Sequence, residues 1–158
     1  MRACLLIALL VSVGCGSPPT EPAPEWVAVA GTYLGPVAGA GASGQMSGTL
    51  ALTLTQDEDH LGGTYQFTGV VSGGLRPGPV AASGTVVGVI EYRGTSYFVL
   101  TFYEPSCGPA ISNAGVGYSA EPRALIFSYG DMIVCADPAN GIVSDRSYSI
   151  GSARLDRQ

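Results

Sequence analysis

Gly48-Thr49-Leu50-Ala51-Leu52-Thr53-Leu54-Thr55 decides the fold class. Leu50, Leu52 and Leu54 recur at every second position between Thr49, Ala51, Thr53 and Thr55. That is the period of a strand with one buried and one wetted face. Working outward, Gly63-Thr64-Tyr65-Gln66-Phe67-Thr68 repeats the alternation after the polar stretch Asp57-Glu58-Asp59-His60. A long strand is expected over Val80–Tyr92, then one over Thr95–Tyr103 with Phe98, Leu100 and Phe102 on one face. Shorter strands are expected at Gly115–Ser119, Ala124–Tyr129, Met132–Ala136 and Asp145–Leu155, with a tight turn at Gly130-Asp131. No window beyond the N-terminal stretch carries a 3.6-residue apolar period. An all-β fold follows, an antiparallel up-and-down meander of eight to nine strands. Closing it into a small barrel removes the exposed edges a sandwich would leave.

Composition agrees with this and excludes several classes. Among 158 residues there are 23 glycines, only 12% charged residues and no lysine. The usual charged share is about 25%. Apolar residues at 46% and so few charges exclude a disordered polyampholyte, and a net charge of −5 excludes a basic nucleic-acid footprint. A single histidine, His60, excludes sites that need two imidazoles.

The N-terminus is a targeting segment. Arg2 precedes an apolar run over Ala3–Val13 that reaches only ~16 Å as a helix, too short for a bilayer core of about 30 Å. Its end, Val11-Ser12-Val13-Gly14-Cys15-Gly16, resembles the lipobox of bacterial lipoproteins, with Ser12 where an aliphatic residue is usual. The resemblance implies cleavage after residue 14, acylation of Cys15 and attachment to the cell envelope. With Gly16 and Ser17 in place of aspartate, it implies the outer membrane where the host has two. The domain plan is a signal peptide over 1–14, a lipidated Cys and Pro-rich tether over 15–25, and a barrel over 26–158. Four prolines between Ser17 and Glu25 favour an extended tether of roughly 28 Å. Losing Arg2 leaves six arginines against twelve acids, a net charge of −6.

A second resemblance lies in Gly31-Thr32-Tyr33-Leu34-Gly35 together with the 48–56 and 63–65 segments. These look like uncharacterised small bacterial lipoproteins with a lipocalin-like barrel, Tyr33 standing where lipocalins carry tryptophan. The resemblance implies a fold and leaves the ligand open. Tyr65, Phe67, Phe98, Phe102 and Phe127 are the candidate contacts for a small apolar ligand. The same rings could instead fill a narrow barrel.

Other chemistry finds little footing. Asp57-Glu58-Asp59-His60 has carboxylates suited to a hard cation but lacks the spacing of a calcium loop, and reads as a solvated turn. Gly39-Ala40-Gly41-Ala42-Ser43-Gly44 matches the dinucleotide fingerprint literally, yet a strand follows it rather than a helix, so a flexible loop is expected. No Gly-x-Ser-x-Gly elbow exists, and Glu91 with Glu104 is the remaining carboxylate pair to test. No enzyme activity, metal or cofactor is expected. The expected role is structural or interactive, through the membrane anchor and an envelope protein or small ligand. A membrane-spanning barrel is disfavoured by the short expected strands and by the ending Asp156-Arg157-Gln158.

Cys107 and Cys135 remain as the one pair available for a disulfide in an oxidising compartment. Closing a loop of about 29 residues stabilises by ~3.6 kcal/mol in the chain-entropy estimate. Mass spectrometry of the exported, alkylated chain is expected to find both thiols protected until a reductant is added. Two alkylated cysteines without reductant would exclude the bridge.

Overall fold

The computed structural model describes residues 25–41, 44–73, 77–104, 110–135 and 145–158, with the side chains of 104, 110–112, 132–135 and 145–147 excepted. Cys15 and Cys107 lie outside the described residues, as does the side chain of Cys135. All regular structure in the described residues is strand: β1 Gly31–Gly41, β2 Gly44–Asp57, β3 His60–Ser72, β4 Gly78–Val89, β5 Tyr97–Glu104, β6 Ala110–Ala120, β7 Arg123–Cys135, β8 Asp145–Ile150 and β9 Ala153–Arg157. Consecutive strands from β1 to β8 pair antiparallel, and β1 pairs both with β2 and with β8 and β9, so the sheet closes on itself.

Nine strands make eight staves. β8 and β9 lie end to end between β7 and β1. The expected Asp145–Leu155 strand is thus a single stave interrupted at Gly151-Ser152. Along β7 the register never slips: Gly130 faces Ile150 and Phe127 faces Ala153. On the β1 side it does. Leu34 faces Asp156 and Gly39 faces Ile150, so five steps along β1 match six along the stave. β7 carries its own extra residue at the same level, where Gly115 faces Tyr129 but Val116 faces Phe127. These are β-bulges, one residue added to a strand against its neighbour. Ser128 with Tyr129, and Gly151 with Ser152, are consecutive outward residues, and this keeps Phe127, Gly130, Ile150 and Ala153 all facing in.

Several strands run longer than their apolar alternation predicts. Gly130-Asp131 is not a turn, because the bulge lets β7 continue through it. Gly39, Ala40 and Gly41 belong to β1 and Gly44 opens β2, so most of the expected flexible loop is paired strand. Neighbouring strands, not local propensity, hold these glycines extended. Strand length therefore no longer argues against a spanning barrel. The wall does: its outward positions include the cross-strand row Thr32–Thr53–Thr64–Thr85, while its inward positions are apolar. A lipid-embedded barrel has the opposite arrangement.

The core is the barrel's interior. Leu50, Leu52 and Leu54 point inward with Tyr33, Phe67, Phe98, Leu100, Phe127 and Leu155, all essentially buried. Each large apolar side chain so buried contributes about 1.5–3 kcal/mol. Glycine is required where the Phe67 ring lies against the backbone of β2 and β3. Gly48 and Gly69 face each other across β2 and β3, and the Phe67 ring lies over both. A Cβ on Gly69 would meet the Ser47 carbonyl oxygen and come within 2.7 Å of Phe67 Cζ. Aromatic cover of a paired glycine is a known way to restore the packing that glycine forgoes.

Gly69→Ala is expected to destabilise the barrel by about 1–3 kcal/mol through overpacking. Gly151→Ala, with nothing within 4 Å of its Cβ, should leave the denaturant midpoint nearly unchanged. Equal midpoints for the two variants would overturn this account of the glycine pair.

Candidate functional site

Three places bring side chains together: the interior, the end where the chain enters, and the outer wall over β4 to β7. Inside, Tyr65 and Phe102 meet edge to face with centroids 5.2 Å apart, and Phe102 and Phe127 follow at 6.4 Å. Such ring pairs add about 0.5–1.5 kcal/mol beyond their burial. Phe67 covers the glycine pair and Phe98 is buried on β5. All five candidate aromatics therefore point into the barrel, and three form one cluster. The void bounded by Leu50, Tyr65, Phe102, Ala114, Phe127, Asp131 and Ile150 is about 10 Å³. That is at most room for one water, because these rings already occupy the space.

The entry end is closed by residues 25–30, which run across the barrel mouth before β1 begins. Gln56 clamps them. Its Oε1 accepts from the Val29 amide at 2.8 Å, and its Nε2 donates to the carbonyls of Val27 and Glu58, each at 2.9 Å. Val29 is fully buried, and its carbonyl accepts the Tyr33 hydroxyl at 2.6 Å. The sequence marks Gln56 only as the polar end of an apolar alternation. Its inward position in that alternation was the available signal. Further out, the Arg93 guanidinium sits 5.1 Å over the Trp26 ring, and the Gly94 amide donates to the Glu25 carbonyl at 3.3 Å.

On the outer wall an apolar row crosses four strands, Val89–Val99–Gly115–Tyr129. Tyr97 and Tyr129 close over Gly115, where a Cβ would strike both rings. The Tyr129 phenol beside it raises the Tyr97 pKa, with desolvation adding to the rise. A groove of about 530 Å³ runs beside the row, lined by outward Val87, Val89, Tyr97, Val99 and Thr101, with His60 and Glu91 at its end. A second hollow of about 490 Å³, over Ala51, Thr53, Thr64, Gln66 and Ser83, is lined by hydroxyl and amide groups. The sequence signal for the outer row was β5 itself, Tyr97-Phe98-Val99-Leu100, apolar on both faces when one face would suffice for the core.

The remaining candidates stay apart. His60 Nδ1 meets Asp59 Oδ1 at 2.8 Å on an exposed turn where Glu58 takes a φ of 52°, and the imidazole is 75% exposed. Among the described residues no cluster of three or more His, Cys, Asp or Glu could hold a metal ion. Glu91 precedes β5 and Glu104 ends it, so the eight residues of β5 set the two at opposite ends of the barrel. They do not form a carboxylate pair. Comparison with protein-family models, curated proteins and solved structures found no match.

Burial raises the Tyr33 pKa above its ordinary 10.0, and nearby Tyr118 adds to the rise, while Arg157 and Arg123 oppose it. Folding thus holds this phenol protonated. Its contribution is intact below pH 10.0 and is lost as the pH rises from there through the folded-state value, since the unfolded chain ionises first. Tyr33→Phe removes the bond to Val29 and should cost about 1 kcal/mol at neutral pH. The same variant is expected to lose stability less steeply above pH 10.0. Denaturant midpoints on both sides of that pH check this, and an unaltered alkaline slope would refute it.

Proposed function

We propose that this chain is a non-enzymatic lipoprotein of the cell envelope, held by acyl chains on Cys15, whose barrel acts as a structural or interaction module. In a host with two membranes the anchor is assigned to the outer one. The observation that supports an outward-facing role most directly is the contrast between the two faces of β5. Phe98, Leu100 and Phe102 are buried inside the barrel, while Tyr97, Val99 and Tyr103 remain 38–44% exposed on the wall. A contiguous apolar patch on an otherwise hydroxyl-rich surface is the ordinary mark of a surface that meets another molecule.

The alternative, a small apolar ligand inside a lipocalin-like barrel, draws on the aromatic lining. The void of about 10 Å³ within that cluster gives it less support, because ligand sites run to several hundred cubic ångströms. Cys107 and Cys135 are retained in the proposal as the disulfide pair of an exported domain.

Metabolic labelling with an alkyne-tagged fatty acid, followed by membrane fractionation, tests the anchor. The native chain is expected to carry label and sediment with membranes, and Cys15→Ala to lose the label and fail to be processed. Label retained by Cys15→Ala would refute the assignment.

A further inference from the structure

We propose that the closed end of the barrel, where the chain enters, is its membrane-contacting face, with Tyr92 and Arg93 lying against zwitterionic lipid headgroups and Trp26 directly beneath Arg93. This rests on the reading that Cys15 is acylated. The nine residues 16–24 then separate the anchor from Glu25, and in the polyproline II form that their prolines favour they span roughly 28 Å. Glu25 is fixed at the closed end by its bond to Gly94. The opposite rim lies a barrel height away. β2 has fourteen residues, and at the usual tilt of barrel strands they raise that rim about 35 Å. A tether of ~28 Å cannot double back over that height and still reach the bilayer. The tether therefore selects the closed end.

The residues at the root of the tether suit that position. Tyr92 is 71% exposed, the largest exposure of any bulky apolar or aromatic side chain described. Arg93 beside it holds its guanidinium over Trp26. Tyrosine favours the headgroup level because its ring is apolar and its tip polar, and arginine reaches phosphate from the same depth, while the Trp26 indole N–H is buried and its ring lies under Arg93. Glu25, Asp59 and Glu91 stand close by in the chain and on the adjoining turns. These carboxylates repel an anionic surface, so the face fits zwitterionic phosphatidylcholine or phosphatidylethanolamine better than phosphatidylglycerol.

Trp26 is the only tryptophan, so its emission reports on this face alone. Residues 16–158 carrying an N-terminal hexahistidine are captured on phosphatidylcholine vesicles containing a small share of nickel-chelating lipid. This places the anchor correctly without requiring acylation. Vesicles whose acyl chains are brominated near the headgroup are expected to quench Trp26 relative to unbrominated ones, and less so when phosphatidylglycerol replaces part of the phosphatidylcholine. Tyr92→Ser, alone and with Arg93→Gln, should weaken the quenching. Equal emission on brominated and plain vesicles would overturn the proposal, as would full quenching of the double variant. Stronger quenching on phosphatidylglycerol would overturn the headgroup assignment. An unlabelled Cys15 in cells would instead refute the anchoring on its own, whatever the vesicles show.

Discussion

β1 must be paired along both of its edges, and the rest of the barrel depends on that. Its pairing with β2 runs without a slip from Gly31 with Leu54 to Gly41 with Gly44. Its other edge is met in two short pieces, by Ser149 and Ile150 and by Asp156 and Arg157. Closing the sheet removes every free edge, which otherwise invites pairing with a second chain. It also fixes the interior at a width at which Tyr65, Phe102 and Phe127 meet ring to ring. The Phe67 ring on β3 is accommodated because Gly48 and Gly69 carry no side chain beneath it.

The joint is completed by two bulges at one level. A single bulge in β7 would have turned the residues beyond it to the wrong face relative to the eighth stave. With a matching extra residue at Gly151-Ser152, the two staves stay in step with each other and shift together against β6 and β1. The hydrophobic pattern is preserved on both, since Phe127, Ile150, Ala153 and Leu155 are all buried.

Much of the strand order was legible because period-two alternation is a local property. Leu50, Leu52 and Leu54 on β2, and Phe98, Leu100 and Phe102 on β5, declare their buried face without any knowledge of their neighbours. What was hidden is whatever depends on the neighbour. Gly39 to Gly44 reads as a loop by composition, and only the facing strands keep most of it extended. The bulges insert one residue into an alternating pattern, which in sequence looks like the end of a strand. The clamp on the entry segment depends on Gln56 and Val29, 27 residues apart, and nothing local in either announces the other. The five aromatic candidates all point inward. Whether they line a space or fill it is a matter of barrel width, which is a property of the closed sheet.

The entry segment also has a mechanical meaning. A pull on residue 25 first loads the clamp of Gln56 on Val27 and Val29 and the hydroxyl of Tyr33 on the Val29 carbonyl. Beyond it the force passes along the axis of β1, so its hydrogen bonds to β2 are sheared together instead of being peeled one after another. A chain drawn at this end resists as a lap joint does, by the combined strength of the whole seam.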